Sequence, residues 1–177
     1  NKNPERYHQL TSAIGYLVHS YKDPSNTKAI ILVDEVLDFA GEANGGTGKT
    51  LISKAVSKII PSLQKDGKSI VKSGNRFFYQ DVNIGHRVMV IDDVNPNFNF
   101  EDFYSVVTGD LIVEQKGKQS YTIPFELSPK LLITSNYVVK GSGGSSDERR
   151  RVEIEIAPYF SIENTPIDEF GCRCFDD

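Results

Sequence analysis

The chain has 177 residues, 38% hydrophobic and 25% charged, and a net charge of −4, an ordinary globular composition for one domain. A chain of this size buries enough surface to need no disulfide staples. No apolar run approaches the ~20 residues of a membrane span, the polar opening NKNPERYHQL is no signal peptide, and the acidic balance argues against a surface coated with basic charge. A local basic strip remains the way such a chain would hold nucleic acid.

Residues 4–22 carry Tyr7, Leu10, Ile14, Leu17, Val18 and Tyr21 at helical spacing. Asn3 is placed to cap this helix, Pro4 to open it, and Asp23-Pro24 to end it. His8 and His19 on it read as surface or packing residues. AIILV (29–33) is a short continuous apolar run, the mark of a strand covered on both faces. GKTLISKAVSKII is a helix with Leu51, Ile52, Ala55, Val56 and Ile59 inward, stopped by Pro61. A polar stretch, QKDGKSIVKSGN, leads to RFFYQDV, expected to be an edge strand or its approach.

RVMVIDDV is a second buried strand, and FNFEDFYSVV is helical, with Phe100, Phe103, Val106 and Val107 toward a core. LIVEQKGKQSYTI reads as a hairpin around a Lys-Gly turn. KLLITSN is a third buried strand, VVKGSGGSSDERR a glycine-serine loop ending in charge, and VEIEI an alternating strand with one wet face. Buried strands alternating with helices predict an α/β fold with a largely parallel sheet. Thr165, Pro166 and Asp168 mark a last helix start just before the chain stops at GCRCFDD. With no initial Met, the chain is expected to be a domain of a longer protein. Its parts are an N-terminal helix and linker (1–28), a core (29–160) and the start of a C-terminal segment (161–177). Cys172 and Cys174 are too close for a long-loop disulfide and read as free thiols in a reducing cytoplasm.

The stretch AIILVDEVLDFAGEANGGTGKT holds two signatures in an unexpected order. A phosphate-binding loop needs backbone N–H groups free to converge on an anion, a Lys to reach the β- and γ-phosphates and a hydroxyl for Mg²⁺. Asn44, Gly45, Gly46, Thr47, Gly48, Lys49 and Thr50 supply all of these ahead of an amphipathic helix. Ala43 stands where the strict pattern has its first Gly. A carboxylate at the end of a neighbouring strand must hold the metal, and two pairs compete: Asp34-Glu35 and Asp92-Asp93. AIILV is already explained as the strand feeding the loop, whereas two carboxylates after VMVI have no other role, so Asp92-Asp93 is the expected pair. Asp34-Glu35 would face the nucleotide from the side or solvate a turn, and Asp34→Asn is expected to be near neutral.

Lys49, Asp92 and Asn136 follow one another at nearly equal intervals. Over residues 29–156 this set resembles the superfamily 3 helicases of the AAA+ class, in particular the helicase part of phage and plasmid primase-helicases related to the poxvirus type. The resemblance implies a P-loop NTPase sandwich with a hairpin before the sensor strand. It also implies ATP and Mg²⁺ as cofactors, Lys49 and Thr50 as phosphate and metal contacts, Asp92 on the metal and Asp93 polarising the attacking water. Most of the wider class has Glu at that last position. Asn136 resembles the sensor of water or γ-phosphate, and Arg149 or Arg150 the arginine finger that acts on a neighbouring subunit's nucleotide; Arg151 is expected to be structural. Lys116 and Lys118 at the hairpin tip match the DNA-contacting loop. The implied protein is a ring, expected to be hexameric, that moves on single-stranded DNA with a primase attached or in partnership, in a bacterial or phage-infected cytoplasm and off the membrane. A loader or packaging motor of the same class, or a nucleotide-gated binding module without turnover, are the alternatives.

Overall fold

The computed structural model describes residues 3–35, 46–70 and 77–173. Helix α1 (Pro4–Val18) starts as expected: the Asn3 side chain accepts from the N–H groups of Glu5 and Arg6, and Pro4 occupies the first turn. It ends four residues earlier than the spacing suggests, because a buried cation takes its last carbonyls. Lys130 Nζ donates to Tyr16 O at 2.5 Å and to His19 O at 2.8 Å. Ala13 and Leu17 are buried, but Tyr7 and Tyr21, expected inward, are 67% and 69% exposed.

Strand β1 (Ala29–Asp34) is buried along its whole length. Helix α2 (Lys49–Ile59) follows, with Val56 inward, while Ile59 points to solvent and Ile60 takes its place. The next strand was not legible from patterning: β2 (Ser62–Asp66) is SLQKD, too polar to read as sheet. It lies on the edge of the sheet, where one side of a strand needs no apolar cover. The aromatic run RFFYQDV, expected as that edge or its approach, forms turns instead over its described residues 77–82; Phe78 and Tyr79 pack on the core and Phe78 meets Phe103 edge-on at 6.0 Å.

Strand β3 (Val88–Val94) is followed by a 3₁₀ turn (Phe100–Phe103) running into helix α3 (Tyr104–Thr108). All four expected core residues there, Phe100, Phe103, Val106 and Val107, are buried. Strands β4 (Leu111–Val113) and β5 (Tyr121–Ile123) make the antiparallel hairpin, with Lys116 and Lys118 exposed at its tip beside Gly117. Strand β6 (Lys130–Ser135) is fully buried. The glycine-serine segment contains a short helix, α4 (Ser145–Glu148), and in β7 (Arg151–Ile156) Ile154 is buried and Glu153 and Glu155 are exposed, but Val152, expected inward, is exposed too. Thr165 and Asp168 form a reciprocal capping box on α5 (Pro166–Phe170).

The five long strands form one sheet in the order β2-β3-β6-β1-β7, and every neighbouring pair is parallel. Successive side chains point to opposite faces. Ile30, Leu32, Val88, Val90 and Leu132 therefore meet α1 and α2, while Ala29, Ile31, Val33, Met89, Ile91 and Ile133 meet the α3 and hairpin layer. A fully buried side chain of this size is worth about 1.5–3 kcal/mol, so both layers are held firmly to the strands. Among the described residues no helix is long and apolar enough to cross a membrane.

Two buried lysines near the amino ends of the strands have no carboxylate contact among the hydrogen bonds and ion pairs of the described residues. Lys22 donates to Ser128 Oγ at 2.6 Å and lies over the Phe125 ring; Lys130 lies over the Tyr16 ring. Burial pushes both down to about 8, and Lys130 adds repulsion at Lys22. A Lys held below its ordinary value loses its proton in the folded chain before it does in the unfolded one. Between pH 8 and 10.5 the unfolded chain then binds more protons, so stability rises with pH across that window. Melting temperatures measured through it should rise, and Lys22→Met with Lys130→Met should remove the rise.

Candidate functional site: a cleft at the carboxyl edge of the sheet

In a parallel sheet, ligands bind outside the carboxyl ends of the strands. Here the ends of β1, β6 and β3 bring together Asp34, Asn136 and Asp92-Asp93, with the start of α2 in front of them. A cleft of about 330 Å³ opens there, lined by Gly46, Thr47, Gly48, Lys49, Thr50, Asp92, Asp93, Thr134 and Asn136. Every expected loop residue within the described chain is in that lining. Ala43, Asn44 and Gly45, like Cys174, lie outside the described residues.

The loop geometry has a local cause. Gly46 and Gly48 have φ of 97° and 98°, a conformation that a side chain disfavours. Gly48 also caps α2, and among the described residues no side chain accepts from the first-turn N–H groups. Those donors and the helix dipole favour an anion at the cleft.

The carboxylate side is built by a bulge. Between Ile91 and Val94 strand β3 carries one residue more than β6, so Asp92 and Asp93 both turn toward the cleft. Asp93 has φ of 56°, which Asp tolerates better than most residues. Thr134 ties the bulge together, accepting from Asp93 N at 2.8 Å and donating to Asp92 Oδ1 at 2.6 Å. Sequence reading missed Thr134, although a hydroxyl within KLLITSN was its signal. Gly67 was missed too: a Cβ there would lie 2.7 Å from the backbone of Asp92 and Val94, so only Gly lets this turn pack on the bulge.

The polar contacts sort the carboxylates. Thr50 Oγ1 stands 3.3 Å from both oxygens of Asp92. Asn136 Nδ2 donates to Asp93 Oδ1 at 2.9 Å, and Lys68 Nζ reaches Asp93 Oδ2 at 2.5 Å. The exposed Lys68 ammonium is held above its usual range chiefly by its hydrogen bond to Asp93 and by the charge of that carboxylate.

Asp34 does not behave as expected. It is 3% exposed, so it solvates no turn. Its Oδ1 accepts from Thr47 Oγ1 at 2.5 Å and pairs with the Lys49 ammonium. Lys49 is itself 6% exposed. Glu35 points elsewhere and pairs with Arg6, which also reaches Glu155 at 3.1 Å. A near-neutral Asp34→Asn therefore conflicts with the geometry: the substitution would break a buried ion pair.

Arg149 and Arg150 are not brought to this cleft. Arg150 O accepts from Ala29 N at 2.8 Å, at the amino end of β1. Six residues of strand, about 20 Å, separate that end from the loop. Both arginines line a second cleft of about 280 Å³ with Pro24, Ser25, Thr27 and Thr108. Arg150 lies over the Tyr104 ring and donates to Ser146 O at 2.8 Å. Arg151 is structural, as expected: it pairs with the buried Asp147 at 2.9 Å and donates to Val139 O. Lys116 and Lys118 stand apart from both clefts on the hairpin.

No curated protein matches the chain. Among solved structures, the C-terminal region (CTR) of NrS-1 superposes with a TM-score of 0.52 at 15% identity, over 93% of this chain and 42% of that one. A JCV helicase gives a TM-score of 0.54 at 16% identity, over 86% of this chain and 40% of that one. The chain thus spans about two-fifths of either of those chains and shares their fold. The model for DUF5906, a family of unknown function, matches residues 39–151, from before the glycine loop to the start of β7. That is more than half of the sequence, and the chain belongs to the DUF5906 family.

Proposed function

We propose that this chain is the ATP-hydrolysing motor domain of a DNA helicase of the superfamily 3, AAA+ type, working as a ring, hexameric by resemblance, on single-stranded DNA. One observation carries the reading. Lys49 and Thr50, on the first turn of a helix behind a glycine loop, face a bulged Asp92-Asp93 pair and Asn136 across one cleft. The shared fold with a helicase supports it.

The residues fit ATP with Mg²⁺. Among the described residues no cluster of three or more His, Cys, Asp or Glu makes a ready-made metal cage, and Mg²⁺ is characteristically held by one or two protein oxygens with substrate phosphates and water. Thr50 and Asp92 would supply those oxygens. When bound, Mg²⁺ neutralises charge on the β- and γ-phosphate oxygens. The α2 N–H groups and Lys49 bind the phosphates. Asp93 orients the attacking water and takes up its proton, and Asn136 fixes the Asp93 carboxylate. Arg149 and Arg150 stand about 20 Å from their own loop, so they serve the nucleotide of the neighbouring subunit. A shared site of this kind requires a heterologous interface that closes into a ring.

The test is ATP hydrolysis by the full-length protein with and without single-stranded DNA. Hydrolysis should rise on adding single strands. Lys116→Ala with Lys118→Ala should leave basal hydrolysis intact, weaken single-strand binding and flatten its salt dependence by about 0.7 per lost phosphate contact. Stimulation by duplex alone would point to a loader or packaging motor, and binding without turnover to a nucleotide-gated module.

A further inference from the structure

The loop lysine is held in a buried ion pair with Asp34. The side chains of Lys49 and Asp34 are 7% and 2% exposed, and Lys49 Nζ also lies 3.2 Å from Thr47 Oγ1. An ammonium has three donors, and these two partners occupy two of them. Asp34 does not itself line the cleft; it reaches the cleft through Lys49 and Thr47. Its other oxygen, Oδ2, is buried and accepts no hydrogen bond from any described residue. Burying an ion pair stabilises a fold only when the geometry is good and the remaining lone pairs are satisfied. Among the described residues nothing satisfies the second Asp34 oxygen, and a pair balanced in this way contributes little net stability.

We infer that Asp34 is a positioning residue: a built-in counter-charge that holds Lys49 and that the phosphates of a nucleoside di- or triphosphate must displace. The inference rests on the nucleotide site proposed above and assigns it a gate. Phosphate oxygens reaching Lys49 compete with Asp34 for the same ammonium, and they also meet the Asp34 charge at close range. Both effects weaken nucleotide binding in the native protein, and both vanish when residue 34 is neutral. The fold thus trades nucleotide affinity for charge balance around Lys49.

Two readouts together separate this role from simple support of the fold. In Asp34→Asn, the nucleotide-free protein should melt at a lower temperature, because Lys49 is left buried without its partner. The rise in melting temperature on adding Mg²⁺ and ADP should be larger than in the native chain. ADP and ATP should bind about tenfold tighter or more, since breaking a buried charge pair costs at least that much. Asp34→Glu, which keeps the charge, should stay within about threefold of native affinity. If the Asn variant does not fold, Asp34→Ser gives a short neutral side chain that still accepts from Thr47 and carries the same expectation. Native protein that binds no nucleotide would overturn the function proposed above. Native binding with unchanged or weaker affinity in the neutral variants, and an equal loss of melting temperature with and without ADP, would overturn the role of Asp34 alone.

Discussion

Replacing Lys49 with alanine should lower ATP hydrolysis by about a thousandfold or more, the scale on which one group aimed at developing transition-state charge is felt. Nucleotide affinity should fall with it, because Lys49 is the cation at the glycine loop. The structure adds a second consequence. Lys49→Ala leaves the Asp34 carboxylate buried and unpaired, a loss of about 3–5 kcal/mol of stability. Activity must therefore be measured on protein shown by circular dichroism to be folded, and Asp34→Asn with Lys49→Met should restore stability without restoring turnover. Mixing Lys49→Ala with Arg149→Ala or Arg150→Ala should recover part of the activity, because some interfaces then join an intact loop to an intact arginine. Phosphate release at the native rate in Lys49→Ala would remove the ATPase assignment, and absence of rescue in the mixture would remove the trans arginine.

The second large effect is expected at Asp93. Asp93→Asn should bind ATP and Mg²⁺ but hydrolyse at least about a hundredfold more slowly, the range assigned to a positioned general base. The substitution is clean for a local reason: Asn, like Asp, tolerates the left-handed φ of 56° found there, so the bulge is retained. Alanine would add strain and confuse the reading. Asp92→Asn should instead weaken Mg²⁺ binding, so that more Mg²⁺ is needed for turnover, and loosen the bulge, since Asp92 accepts the Thr134 hydroxyl. Full turnover in Asp93→Asn, measured by steady-state phosphate release, would mean that the carboxylates were assigned to the wrong pair.

Several elements were determined by the sequence itself, because local chemistry decides them. Asn3-Pro4 opens a helix wherever that helix packs, and AIILV and KLLIT are too apolar to be anything but covered strands. Gly46 and Gly48 announce a loop that needs positive φ, and VMVI followed by two carboxylates announces a strand that ends on polar groups, which line the cleft. Other features came only from the tertiary structure, because they depend on what lies across the sheet. The polar SLQKD is a strand because β3 offers it an edge, and residues 77–82 are turns because Phe78 packs against Phe103. Helix α1 stops at Val18 because Lys130, far away in sequence, takes its carbonyls. Thr134 and Gly67 matter through a bulge in a strand to which neither belongs. The strand order sets Arg149 and Arg150 at the far end of β1, and burial sets Asp34 against Lys49 while its neighbour Glu35 turns away to Arg6. Patterning along a chain reports which groups must be covered or capped; which distant group does the covering is decided only when the strands are laid side by side.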